Sequence, residues 1–326
     1  MLDKEVEAKL RSITLSQLRT ESKPYILEID SEATVYDALK ILLEHGFCSA
    51  PVIKHGCTEA ISCVDRYVGI LAPHNILECF VKCYDDLLLS TVDEDVEEKS
   101  DKESKYVTEF DQMKNVQVKD IIGKCPFTYL KSSTCLYDCL QIMSQNSTYR
   151  ICVVDENDPC KLVNFITKKM LEDLLLHKIM EHPHFGSITL KDLQLTTATP
   201  VVTINEHQRT IDAFKKLVTT GYSGLPVVNS IGSLIGKISV KDIYFMFTLP
   251  NLSSILRLPI KKYLEVADID IGSKITTNPP IGHDTDTLAM VISLFFNDSW
   301  NRLFLVDKEQ KPIRCITFFD LLRKCL

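Results

Sequence analysis

Between Thr197 and Tyr244 the apolar positions change period three times, and the changes predict a strand, an amphipathic helix, two further strands and the start of a second helix. PVVTI (200–204) is a short β-branched run. TIDAFKKLVTTG (210–221) follows at helical spacing, with Ile211, Phe214, Leu217 and Val218 on one face and Gly221 at the stop. LPVV (225–228) and LIGKI (234–238) read as buried strands on either side of the turn signal NSIGS. Ser239 then opens a helix, with Asp242 three residues on. A unit this small buries its own faces poorly, so further copies of it are expected.

Three more are present. The first has ILEI, the helix TVYDALKILLEHG with Val35, Ala38, Leu39, Leu42 and Leu43 on one face, then APVI, YVGIL and a helix from about His74 to Leu89. Thr34 is its expected N-cap, with Asp37 in the first turn. KHGCTEAISCVDR, between its last two strands, is expected to form a surface hairpin extension or loop. The second is PFTYL, CLYDCLQIMSQN, RICVVD, KLVNFI and KKMLEDLLLHK; the fourth is PPIGH, TLAMVISLFFND, RLFLVD, IRCIT and FFDLLRKCL. Ala38, Cys139, Ala213 and Val291 on the helices each precede Pro51, Cys152, Pro226 and Phe304 on the strands by 13 residues. From those strand positions to the second helix the gaps are 21, 15, 13 and 13, so the excess falls in strand-to-strand turns, where insertions are tolerated. The expected organisation is an N-terminal arm (1–23), copy one (24–89), an acidic linker and helix (90–122), copy two (123–181), a connector (182–196), copy three (197–249), a second connector (250–273) and copy four (274–326). Within the linker, residues 91–105 hold seven acids and three lysines and read as a solvated tether, with an acidic docking surface as the alternative. EFDQMKNVQVKDII (109–122) reads as a helix leading into copy two.

Composition narrows the function classes. The 326 residues are 45% hydrophobic and 25% charged, as in a soluble globular chain. A net charge of -7 argues against bulk nucleic-acid binding, which requires a basic field. No apolar run approaches the roughly 20 residues of a membrane helix, and MLDKEVEAKLRS lacks the apolar core of a signal peptide. The twelve cysteines form no CxxC pair and are read as reduced thiols serving as small hydrophobes in an intracellular protein, cytoplasmic or nuclear. GSLIGK (232–237) is too short between its glycines for a phosphate loop and is followed by Ile238 instead of Ser or Thr. GYSGL lacks the last glycine of a nucleophile elbow. His177, His182 and His184 have no metal-ligand spacing, so no metal is expected.

GYSGLPVV (221–228) followed by GKISVKD (236–242) resembles the cystathionine-β-synthase (CBS) motif, and four such motifs filling the chain resemble the γ-subunit family of AMP-activated protein kinase. The resemblance implies an α/β (α+β) fold of four tandem βαββα motifs, paired into two modules in a disc. It implies binding of AMP, ADP or ATP as ligands, without a catalytic cofactor, in clefts between motifs. It also implies a non-catalytic regulatory role beside a kinase catalytic α subunit and a scaffolding β subunit, with neither nucleic acid nor membrane as partner. In that family a Ser/Thr-x-x-Asp at the second helix holds the nucleotide. The carboxylate accepts from the ribose hydroxyls, and the helix end favours phosphate. Copies three and four keep the pair as Ser239/Asp242 and Thr317/Asp320; copy one has Ala72 and Asn75, and copy two Thr167 and Met170. The family's central His-Arg pairs correspond to Tyr149-Arg150 and Asn301-Arg302, so the arginines remain and the histidines are gone. Cys48 stands where the family has a phosphate-facing arginine, and Lys168 and Lys169 where it keeps a basic residue. By resemblance Asp242 and Asp320 hold riboses, while Ser239, Thr317, Thr167, Arg150, Arg302 and Lys169 face phosphate. The degraded copy one leaves an alternative, a scaffold that assembles kinase subunits without sensing nucleotide. Ser-x-x-Asp is also an ordinary helix-capping arrangement, so the pair serves either reading.

Overall fold

The computed structural model describes residues 4–18, 25–57, 62–92, 108–122, 127–146, 148–172, 174, 183–249, 252–271, 279–297 and 302–325. Four three-stranded sheets are built on one plan. They comprise β1 (Ile29–Asp30), β2 (Ala50–Ile53) and β3 (Tyr67–Leu71); β4 (Tyr129–Lys131), β5 (Arg150–Val154) and β6 (Leu162–Thr167); β7 (Ile204–Asn205), β8 (Gly224–Val228) and β9 (Leu234–Ser239); and β10 (Ile281–Gly282), β11 (Arg302–Val306) and β12 (Pro312–Thr317). In each, the first strand runs parallel to the second and the third returns antiparallel. A register shift falls between Val52 and Ile53, Val153 and Val154, Val227 and Val228, and Leu305 and Val306. These are equivalent positions in the four copies, so the repeat extends to the bulge that twists each hairpin. The fold is mixed α/β, with one three-stranded plan repeated four times.

The helices follow their patterns. Thr34 caps Val35–Glu44 by accepting from the Asp37 amide at 3.1 Å, and the helix buries Val35, Ala38, Leu39 and Leu42. Thr210–Thr220 buries Ile211, Phe214 and Leu217 and ends on Gly221 at φ 68°, a left-handed conformation that costs glycine little. Helix faces join copy one to copy three in one core, where Phe80 meets Phe214 edge-on at 6.4 Å. They join copy two to copy four in another, where Tyr149 lies 4.6 Å from Phe319. Strand sides join the copies the other way. Tyr67, Ile53, Phe127, Tyr129, Val154 and Leu162 pack copy one on copy two. The Leu234 amide donates to the Gln310 carbonyl, and the Thr199 amide to that of Ile313, between copies three and four. The copies therefore follow one another round a closed ring in the order one, two, four, three.

Several expectations are corrected. The first strands are two or three residues long; in copy three the chain before the strand bonds to copy four instead, through the Thr199 amide. Residues 109–122 form not one helix but Glu109–Gln112, a 3-10 turn at Met113–Asn115 and Val118–Ile121. They pack on copy one rather than leading towards copy two: Phe110, Met113 and Val118 are in its core, and the Val118 amide donates to Ala33. The arm is an integral part of the second core, since Lys4–Ser12 buries Val6 and Leu10, and Leu15 is sealed beside them. The copy-one insertion contains a short helix, Cys63–Arg66. The second connector is two helices, Leu252–Arg257 and Ile260–Ile271, both in the first core. Most of the acidic tether lies outside the described residues, as do His177, His182 and Asn301.

Candidate functional site

Where the four copies converge, the strands end in hydroxyls and cations. The β8–β9 register sets Gly224 opposite Ser239, β5–β6 sets Arg150 opposite Thr167, and β11–β12 sets Arg302 opposite Thr317. Each Ser/Thr-x-x-Asp closes on itself. Asp242 Oδ2 accepts from the Ser239 amide at 2.8 Å and hydroxyl at 2.6 Å; Asp320 Oδ2 accepts from Thr317 at the same two distances. The second oxygens differ. Asp242 Oδ1 accepts from the hydroxyl of fully buried Tyr263 at 2.7 Å, whereas Asp320 Oδ1 faces Arg323 Nη1 at 3.7 Å. Burial, with the Asp242 charge beside it, pushes the Tyr263 hydroxyl well above its ordinary range, so it stays a donor. A ribose diol needs free lone pairs on a carboxylate, and Asp320 offers more of them than Asp242.

Copy one closes its own site. Asn75 Oδ1 accepts from the Ala72 amide at 3.1 Å, the contact its aspartate counterparts make, and Nδ2 donates to the Ile121 carbonyl. In copy two Thr167 Oγ1 accepts only a long 3.4 Å bond from the Met170 amide.

The cations are arranged by neighbouring copies. Arg302 is 5% exposed and donates from Nη2 to Ser223 Oγ at 2.6 Å, with the Cys315 thiol also beside its guanidinium, while its buried Nε has no hydrogen-bond partner among the described residues. It fits because Gly224 lacks a side chain: a Cβ there would lie 1.6 Å from Arg302 Nη1. Half-buried Arg150 donates to the Ser49 hydroxyl of copy one, and burial lowers its pKa. Buried Lys168 pairs with Glu172 and lies 5.3 Å from the Phe295 ring and 5.4 Å from that of Phe318, both of copy four. Its neighbour Lys169, expected at the phosphates, is exposed. Burial lowers Lys168 to about 8, with Lys241 and Arg302 adding to the effect and Glu172 opposing it. Lys237 is lowered by burial to about 8 as well, with Arg302 and Lys241 reinforcing and Asp242 opposing. Tyr149 donates to or accepts from Ser223 at 3.4 Å, and Tyr244 donates to the Cys48 carbonyl at 2.8 Å, so two tyrosines bridge the copies at the junction.

Lys237, Lys241, Ser49, Ser223 and Tyr263 were not singled out in the sequence. The first had a signal there: a lone lysine at an alternating position of an apolar strand, between buried Gly236 and Ile238. His184 is exposed, and no group of three metal-ligating side chains occurs among the described residues. No helix among them is long and apolar enough to cross a membrane.

The family model for the CBS domain matches residues 118–177 and 186–247. The chain carries CBS domains. These two matches fall on copies two and three, and the register extends the motif to copies one and four. Along 99% of its length the CBS-domain chain is 22% identical to SNF1-related protein kinase regulatory subunit gamma-1 of Arabidopsis thaliana, of which it covers 84%. It is 26% identical over 320 residues to Protein SDS23 of Meyerozyma guilliermondii, and spans 57% of that protein. Over 200 residues, 61% of its length, it is 22% identical to 5'-AMP-activated protein kinase subunit gamma-3 of Bos taurus, 39% of whose length it spans. Among solved structures, Protein MJ1225 from Methanocaldococcus jannaschii superposes with a TM-score of 0.71, covering 95% of this chain and 99% of that one at 18% identity. This likeness concerns the fold.

Proposed function

We propose that the protein is a non-catalytic, γ-like regulatory subunit of an AMP-activated type of Ser/Thr protein kinase, and that it binds adenine nucleotides where its four CBS copies meet. The observation that carries this reading is Arg302, a buried guanidinium with an unpartnered Nε, placed on the strand that pairs with Thr317 of the Thr317/Asp320 arrangement. Buried cations are costly without an anion, and a buried donor without an acceptor adds to that cost. A phosphate entering the junction relieves both. Asp320 would accept a ribose, Thr317 and Ser239 would stand near phosphate at the helix ends, and Arg150 and Arg302 would neutralise it. Asp242 would join once Tyr263 yields its bond. Lys169 and Thr167 would lie at the margin, and catalysis would belong to a partner kinase chain. The names of the plant and mammalian relatives support the partner class. Binding that differs between assembled states would pass to the kinase by linkage.

A second reading is favoured by Asn75 and Tyr263. Both satisfy internally the positions a nucleotide would use, as expected of a scaffold that holds kinase subunits without sensing. A thermal-shift titration with AMP, ADP and ATP separates the two. A ligand of the native state raises stability by RT ln(1 + [L]/Kd), about 2.7 kcal/mol at a hundredfold excess over Kd. The sensor reading expects a saturable shift that is lost in the Asp242→Ala/Asp320→Ala variant. No shift at millimolar nucleotide, with kinase subunits still retained in a pull-down, leaves the scaffold.

A further inference from the structure

The β2–β3 hairpin of copy one packs on the β5–β6 hairpin of copy two, and a cavity of about 250 Å³ lies at their contact. The strand registers make Arg66 and Tyr67 the counterparts of Ser233 and Leu234 in copy three, and Pro159 and Cys160 those of Glu309 and Gln310 in copy four. In copies three and four this place is bridged directly: Ser233 Oγ donates to the Glu309 carbonyl at 2.8 Å, and the Leu234 amide to that of Gln310 at 2.9 Å. In copy one a guanidinium takes the place of the bridging serine. Glu28, Arg66, Tyr67, Asp158, Lys161 and Leu162 line the space. Arg66 is half-buried, and its Nε is buried without a hydrogen-bond partner among the described residues. Its Nη2 stands 3.6 Å from Glu28, which also accepts from the Tyr67 hydroxyl. Across the cavity Asp158 is fixed by its own turn, with Oδ1 accepting from the Cys160 amide at 2.9 Å. Two cations and two carboxylates thus line one cavity, beside an apolar wall from Tyr67 and Leu162, and one buried donor lacks an acceptor.

We propose that this cavity binds a free α-amino acid with an aliphatic side chain. The carboxylate would accept from Arg66 Nε and pair with Lys161, the ammonium would face Asp158, and the side chain would lie against Tyr67 and Leu162. A plain anion answers Arg66 but meets Glu28 and Asp158; a plain cation leaves the buried Nε without an acceptor. A zwitterion satisfies both signs, and satisfying a buried donor removes a real cost. The volume is below the roughly 300–1,000 Å³ of drug-sized sites, so the ligand is small. The site is separate from the Ser/Thr-x-x-Asp positions. Ala72 and Asn75 lie beyond the far end of β3, about 15 Å from Tyr67 by strand rise, and the proposal does not depend on nucleotide binding. Because the cavity has walls from both copies, its ligand ties copy one to copy two.

The test is isothermal titration of the full chain, with saturation-transfer NMR for weak binding. The probes are L-leucine, 4-methylpentanoate, which lacks the ammonium, and 3-methylbutylamine, which lacks the carboxylate. Leucine should bind saturably, and each analogue at least about tenfold more weakly, the loss of one charged hydrogen bond. Arg66→Met keeps the stem and should weaken leucine by a similar factor. Asp158→Asn keeps an oxygen for the Cys160 amide and alters an exposed side chain, so it should melt as wild type does. It should weaken leucine while leaving 4-methylpentanoate no weaker, a pattern that lost folding would not give. No binding of leucine by wild type at millimolar concentration overturns the proposal, as does leucine affinity unchanged in both variants. Binding of 4-methylpentanoate as tightly as leucine would make the cavity an anion site and refute the amino acid.

Discussion

Gly224→Ala tests whether the junction is built as described. The added Cβ would lie 1.6 Å from Arg302 Nη1, 2.7 Å from its Cζ and 2.9 Å from the Ile238 carbonyl oxygen. Backbone strain plays no part; the conflict is with a guanidinium from another copy. Overpacking a close-fitting site costs about 1–3 kcal/mol. Evicting Arg302 also breaks its 2.6 Å bond to Ser223, a charged hydrogen bond worth about 1.5–3 kcal/mol. The substitution should therefore cost about 4 kcal/mol, read as a Tm lower by roughly 6–10 °C for a chain of this size. The assay is a double-mutant cycle with Arg302→Ala, using calorimetry or denaturant melts. With Arg302 gone only the Ile238 carbonyl is crowded, and Gly224→Ala should then cost no more than about 1.5 kcal/mol. Equal costs in the two backgrounds, or a neutral effect in wild type, would show that Arg302 does not occupy this slot.

Leu10→Ala should cost about 3 kcal/mol in chemical denaturation, because Leu10 is 1% exposed in the core shared with copies two and four; a loss below about 0.5 kcal/mol would be that of a loose lead-in. Asn75→Asp should lower stability by about 1–3 kcal/mol, since the new carboxylate would replace the amide that donates to the Ile121 carbonyl, and it should create no nucleotide site in copy one. In the absence of an anion, stability should rise between about pH 8 and 10. Lys168 and Lys237 are held near 8 when folded against about 10.5 when unfolded, so the unfolded chain binds more protons in that window. Melts of Lys237→Met across the window should show a smaller rise, and an unchanged one would mean that Lys237 is not depressed.

The parts of the molecule fixed by local chemistry were legible in the sequence. Thr34 caps its helix and Gly221 ends another because hydroxyl capping and the left-handed glycine are properties of single residues. The 13-residue spacing survives as one bulge repeated at equivalent positions of four sheets. What depended on contacts between copies was not legible. Helix periodicity in 109–122 could not reveal that Val118 bonds back to Ala33 of copy one, breaking the helix. Nor did periodicity show that helix faces join copies one and three while strands join one and two. At the candidate site the Ser/Thr-x-x-Asp pairs were visible because they are local. Their unequal second oxygens were not: Tyr263, which occupies Asp242, lies 21 residues along the chain in a different element. Lys168 and Lys169 both stand where the motif keeps a basic residue, and only the fold distinguishes them by burying Lys168 against Phe295 and Phe318. Gly224 read as part of a motif, and its use became visible only with Arg302 beside it.

The measurement closest to the central claim is a crystal structure of the full chain grown with millimolar ATP. The account predicts phosphate density within hydrogen-bond reach of Arg302 Nε, with a ribose on Asp320. Empty clefts, with Arg302 still bonded to Ser223, would contradict it.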